Sequence, residues 1–206
     1  MPSQSGRESA ADAGGGRFNE VRQSAARLFA LRGYHGTNMA DIARELGLRA
    51  PGLYNHITSK QALLEDICVT AMNQALSLQR AATREGSEVA RLRKAAEAHV
   101  RFVVNNAAEA LVADREFIQL EPGPREEVLR LRQAYESVFR SLIEWGNASG
   151  AFDVREPKLA SYAIIEMGSS VAQWFRETGD WSLDVVAKEH GEYALRLVGW
   201  RPPESA

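Results

Sequence analysis

One stretch constrains the fold of this chain more than any other: Thr37 to Lys60, TNMADIARELGLRAPGLYNHITSK. Met39, Ile42, Ala43 and Leu46 recur at helical spacing, and Thr37 is the predicted N-cap of a helix beginning at Asn38 or Met39. Gly47 supplies the left-handed exit that ends that helix without a Cβ penalty. Leu48 is the expected buried pivot of the turn. Pro51, with φ already near the helical value, suits the first turn of a second helix. Leu53 and Ile57 face inward, leaving Arg49, Ala50, Gly52, Tyr54, Asn55 and His56 outward, polar or small.

Two short helices across such a turn place the start of the second against base edges in the DNA major groove. Ala50 and Gly52 allow close backbone approach, and Arg49 and Asn55 offer donors to bases or phosphates. Tyr54, His56 and Lys60 carry groups that hold phosphates, and Thr37 and Asn38 complete the candidate DNA-binding set. Lys60, in the first turn of the following helix, sits badly with that helix's dipole, a conflict that a bound phosphate would offset. The alternative is an ordinary helical hairpin with Tyr and His as half-buried packing residues.

Net charge is −2 overall, but its distribution is uneven. Residues 1–60 hold eight basic and five acidic residues, whereas the remainder holds 17 basic and 22 acidic. A cationic head on an anionic body suits a small DNA footprint joined to a part that does not touch DNA.

The run LFALRGYHGTNMADIARELGL…PGLYNHITSKQALL resembles the DNA-binding domain of the TetR family of bacterial transcriptional regulators. The matching residues are Phe29, Gly33, Tyr34, Gly36, Thr37, Ile42, Ala43, Gly47, Leu53, Tyr54, His56, Ser59, Lys60 and Leu63. The resemblance implies a homodimeric, all-helical repressor whose C-terminal helices bind a small molecule. It also implies that Tyr54, His56 and Lys60 contact phosphates while Arg49, Ala50, Gly52 and Asn55 face bases. Many members carry Ser or Thr where this chain has Arg49, so a side-chain cap is missing there.

Residues 1–16 are rich in Ser, Ala and Gly, which predicts a flexible tail. The expected domains are a helix-turn-helix unit at 17–62, a helical ligand-binding and dimerisation unit at 63–200, and a tail at 201–206. Apolar periodicity predicts a first helix over 18–32, then a long helix capped by a Thr58–Gln61 capping box and running through Leu63 to about Ala82, and another over 88–112. Shorter and longer helices follow at 114–120, 125–147, 157–178 and 183–198, with Pro122-Gly123-Pro124 as a stop. No segment has strand period, so the fold class is all-α. No apolar run reaches bilayer length and no signal peptide opens the chain. The single cysteine, Cys68, fits a reducing cytoplasm and reads as an inert buried thiol.

In the body, Met72, His99, Phe102, Phe117, Tyr135, Phe139 and Trp145 are candidate pocket-lining residues, although aromatics at helical spacing also make ordinary core. The segment Val171-Ala172-Gln173-Trp174-Phe175-Arg176 resembles TetR-type regulators that respond to acyl-CoA thioesters. In that reading Trp174 lies at the ligand and Arg176, with Arg115 or Arg140, pairs with its phosphates; a helix-end Arg beside an interface Trp is the alternative. Gly168 and its small neighbours let helices approach closely, either inside the core or across a two-fold homodimer interface. His35, His56, His99 and His190 lack paired ligand spacing, so no metal or cofactor is expected. Nothing resembles a nucleophile–base pair, and the chain is not read as an enzyme. A ligand-responsive repressor on a palindromic operator is the reading that results. A small-molecule-binding protein or enzyme with a vestigial hairpin, and an architectural DNA binder without effector, are the alternatives.

Overall fold

The computed structural model describes residues 5–54 and 57–202, with side chains from residue 16 onward except that of residue 50. Ten α-helices and one 3-10 turn account for its regular structure, with no strand among the described residues. The chain divides into two compact units, one of residues 1–70 with 108–128, the other of 71–107 with 129–206. The first unit thus extends beyond the expected domain: a segment from the middle of the chain returns to it.

In the first unit, α1 (Ser5–Arg32) buries Val21, Ala25, Ala26, Leu28 and Phe29. The helix is continuous from Ser5 rather than starting at Phe18. Glycines at 14–16 disfavour a helix by roughly 1 kcal/mol each relative to Ala without forbidding it, and Arg7, Glu8 and several alanines favour one. Gly33, with φ of +75°, turns the chain out of α1. At Gly36 a Cβ would lie 2.2 Å from the Arg32 carbonyl oxygen, so only glycine fits. Helix α2 (Met39–Glu45) is short, and Gly47 follows it with φ of +65°, as the hairpin requires. Leu48 is half-buried rather than fully buried. Helix α3 (Ala50–Leu53) plants Leu53 in the core.

Helix α4 (Lys60–Ala82) begins in the first unit, where Leu63, Leu64 and Ile67 are fully buried. Its cap is Ser59, whose hydroxyl accepts from the Ala62 N–H at 3.0 Å. The expected Thr58–Gln61 capping box is absent because the Gln61 amide is used elsewhere. Helix α5 (Glu88–Asn105) is followed by α6 (Ala107–Arg115), where one helix over 88–112 was expected. Asn106 makes the break: its side-chain amide and its own N–H both bond the Phe102 carbonyl, ending the helical ladder. A 3-10 turn, Phe117–Gln119, replaces the expected short helix. Helix α7 (Pro122–Ser149) starts at the first proline of Pro-Gly-Pro instead of after it. Proline lacks an N–H that a helix start does not need, so it opens a helix as readily as it stops one.

The second unit contains the rest of α4, α5 and most of α7 with α8 (Pro157–Ser169), α9 (Val171–Trp174) and α10 (Leu183–Leu197). Ser182 caps α10 by accepting from the Val185 N–H at 3.3 Å, as its position predicts. The expected helix over 157–178 divides at Ser170, whose hydroxyl bonds back to the Met167 carbonyl at 2.8 Å. Val100, Val171, Val186 and Ala187 form one core cluster, flanked by Val104, Phe175 and Leu183. No helix among the described residues is long and apolar enough to cross a membrane.

Candidate nucleic-acid interface

The reading hairpin rests on a small aromatic base. Tyr34 packs edge-on against Phe29, with centroids 5.4 Å apart. Thr37 is also in this base, and its expected roles change. Its hydroxyl is buried and lies 3.2 Å from the Leu28 carbonyl and 3.1 Å from that of Gly33. It pins the turn onto α1 and neither caps α2 nor presents itself to DNA. The cap is Asn38, which accepts from the Asp41 N–H at 2.9 Å while the Asp41 carboxylate accepts from the Asn38 N–H at 3.1 Å. This reciprocal box, with Arg44 alongside, holds the Asp41 pKa below its ordinary value.

Pro51 of α3 and Tyr54 at its C-cap face solvent, Leu53 having gone inward. Arg49 stands at its N-cap position with extended backbone and no side-chain cap, as the sequence predicts. Four other cations of the unit are paired with acids: Arg17 with Glu20, Arg22 with Asp66, Arg27 with Glu45 and Arg44 with Asp41. Arg49 is exposed and makes no salt bridge among the described residues. It stands at a helix start where Pro51 has no N–H to cap and the Gly52 N–H donates to the Arg49 carbonyl at 2.9 Å. Gly52 has open space where a Cβ would be, so internal packing does not require its smallness. Ala50 starts α3 by its backbone, and Asn55 and His56 lie outside the described residues.

Lys60 is turned towards the protein. Its ammonium lies 4.0 Å from the centroid of the Tyr34 ring, and burial lowers its pKa while the Glu116 charge opposes the shift. The ring face and Glu116 offset the dipole conflict that the sequence suggested a phosphate would resolve.

In the second unit the candidate pocket residues are dispersed. His99, Tyr135 and Phe139 pack together as filled core, with centroids 5.8 to 6.4 Å apart. The Tyr135 hydroxyl donates to His99 Nδ1 at 2.9 Å, and Nε2–H donates to the Ile165 carbonyl at 2.9 Å. Burial pushes His99 down to about 4 and pushes the Tyr135 phenol up. Gly168 is pressed against this imidazole: a Cβ there would lie 2.4 Å from His99 Cδ2. The close helix approach that Gly168 permits is therefore internal, between α5 and α8. Met72 is half-buried, Trp145 is exposed with Arg91 over its ring, and Trp174 is exposed. Arg176 is exposed and donates to the carbonyls of Gln173 and Phe175, the helix-end arrangement, while Phe117 belongs to the first unit. Of the set, Phe102 lines a groove of about 590 Å³, together with Gln74, Leu78, Lys94, Arg101 and Asn105. The stripe Gln74, Leu78, Ala82 at intervals of four was a legible signal for it.

Residues 22–67 match the family model described as "Bacterial regulatory proteins, tetR family", and residues 85–198 match "Tetracyclin repressor-like, C-terminal domain". The chain belongs to the TetR family. As a TetR-family member it is a DNA-binding, ligand-responsive transcriptional regulator. It is 26% identical to the HTH-type transcriptional repressor KstR2 of Rhodococcus jostii over 186 residues, 85% of this chain and 87% of that one. A tetR-family regulatory protein from Rhodococcus RHA1 is 28% identical, with a TM-score of 0.83 over 90% of this chain and 98% of that structure. AibR, in complex with isovaleryl coenzyme A and operator DNA, shares the fold with a TM-score of 0.73 at 23% identity, covering 86% of this chain and 97% of its own.

Proposed function

We propose that this regulator is a homodimeric, cytoplasmic repressor that occupies a palindromic operator and leaves it when a small acyl-CoA binds the helical body. The observation that carries the DNA half is the start of α3. There Arg49, exposed and without a salt bridge among the described residues, stands ahead of the small Gly52 and a fully buried Leu53. Two such helices about 34–36 Å apart would enter successive major grooves. Arg49, Tyr54, Asn55 and His56 are the proposed contacts, with Ala50 and Gly52 allowing approach, while Lys60 lies over the Tyr34 ring and supports the hairpin from within.

Dimerisation is supported by apolar side chains left uncovered on two helices. Leu159 and Tyr162 of α8, and Val185, Tyr193 and Leu197 of α10, are each at least 41% exposed. Exposed apolar faces of this kind are usually interaction surfaces. The acyl-CoA assignment rests on the Trp174–Arg176 segment and on the ligand of the similarly folded AibR. Binding to one body conformation better than another would shift the head spacing and weaken operator affinity. No catalytic step is proposed.

The test is selection of random duplexes by the purified protein at fixed salt, repeated with isovaleryl-CoA and its short-chain relatives. An enriched palindrome released by one thioester is expected. A palindrome indifferent to the series would remove the effector class, and no enrichment would remove the operator reading. Arg176→Ala that leaves any acyl-CoA response intact would remove that residue's role.

A further inference from the structure

The two flanks of the reading hairpin are held by one segment far away in sequence. On the N-terminal flank, His35 Nε2 lies 2.8 Å from the side-chain oxygen of Gln119. On the C-terminal flank, the Gln61 amide donates to the Gln119 carbonyl at 2.8 Å, and its oxygen accepts from the Glu121 N–H at 3.3 Å. Glu116, in the same segment, lies against Gly33 and is the acid that opposes the lowering of the Lys60 pKa. All of these residues belong to the first unit. Gln61 also gives up the helix-capping role its sequence position offers in order to make these bonds.

We propose that Gln119 and Gln61 form a clasp that positions the DNA-reading hairpin, Gln119 holding one flank by its side chain and the other by its backbone. The hairpin between them is short: α2 has seven residues and α3 four. Elements of that length are not stable by themselves, so their orientation depends on tertiary restraints at the two ends. The buried Thr37 and Leu53 fix the inner face of the hairpin. The clasp fixes its ends against the turn at 117–119. Binding by a pre-arranged hairpin avoids the entropy of ordering it on DNA. The proposal rests on the DNA-binding reading for its consequence but not for its structural content, and its two parts can fail separately.

The experiment compares the full-length protein with Gln61→Ala, Gln61→Glu and Gln119→Ala. Hydrogen exchange is followed without DNA, and binding is measured to the duplex enriched by selection. Gln61→Ala is expected to speed exchange at Glu121 and across residues 38–54 about tenfold while α1 keeps its protection, and to weaken duplex binding about fivefold to tenfold, as loss of one or two hydrogen bonds would. Gln61→Glu keeps the acceptor for Glu121 but loses the donor to Gln119, so it should restore protection at Glu121 only. Gln119→Ala should loosen the His35 flank while leaving Glu121 protected. Unchanged exchange over 38–54 in both alanine variants would overturn the clasp. Uniform loss of protection, α1 included, would also overturn it, because the residues would then merely support the fold. Faster local exchange in a protein that enriches no duplex would leave the clasp standing and refute the operator reading.

Discussion

Replacing Gly168 by Ala should be among the most destabilising single-methyl changes in the second unit. The new Cβ would stand 2.4 Å from His99 Cδ2 and 3.0 Å from Nε2, and the imidazole cannot retreat freely. It is buried, edge-packed on Phe139, and tied at both nitrogens to Tyr135 and Ile165. Overpacking a filled core costs about 1–3 kcal/mol, and orphaning a buried hydrogen-bonding group costs about 1–3 kcal/mol more. Better helix propensity of Ala returns roughly 1 kcal/mol. The net expectation is a loss of roughly 3 kcal/mol, a large part of the ordinary stability of a domain at about 5–15 kcal/mol. Urea unfolding followed by circular dichroism at one protein concentration measures it. Gly123→Ala is the control, since a Cβ there meets nothing within 4 Å. In a His99→Ala background the cost of Gly168→Ala should shrink by more than half, because the obstructing ring is gone. A Gly168→Ala protein as stable as the Gly123→Ala control would refute the reasoning.

The same imidazole predicts a pH dependence. His99 titrates at about 4 when folded against an ordinary value of 6.5, so the unfolded chain binds the proton first. Stability should be full above pH 6.5 and fall as pH drops towards 4, by roughly 3 kcal/mol; His99→Gln should flatten that slope in urea titrations. Thr37→Val removes the hydroxyl that serves the Leu28 and Gly33 carbonyls and should cost about 1–3 kcal/mol. Because that hydroxyl faces inward, the salt dependence of DNA binding should keep its slope, and a changed slope would return Thr37 to the phosphate-contacting set. Arg49→Ser supplies the cap that α3 lacks and should raise stability by about 0.5–1 kcal/mol in thermal melts. It should also reduce the salt slope of DNA binding by about one phosphate contact.

Local chemistry was enough to read the hairpin. Gly47 in the left-handed region, Pro51 early in α3, inward Ile42 and Leu53, and the missing cap at Arg49 all follow from residue type and spacing. The all-α class and the Ser182 cap were legible for the same reason: period, caps and breakers act within a few residues. Boundaries decided by side chains competing with the backbone were less so. Asn106 divides one predicted helix and Ser170 another, though the Asn105-Asn106 and Ser169-Ser170 pairs were the visible hints.

What no periodicity could reveal was which apolar or polar group meets which. Thr37 and Asn38 are both good caps by type, and only the proximity of the Leu28 and Gly33 carbonyls sends Thr37 inward. His99, Tyr135 and Phe139 have the spacing of pocket or core alike, and the three-dimensional packing made them core. The α8 and α10 side chains divide the same way: Ile164 and Val186 are buried, while Leu159 and Val185 are exposed. The return of residues 108–128 to the head, with Gln119 between His35 and Gln61, joins positions 58 and 84 residues apart. Contacts of that range depend on how the whole chain closes, which local propensities leave open. Residue types and their spacing thus determined the elements and the reading hairpin, and tertiary structure decided how that hairpin is held.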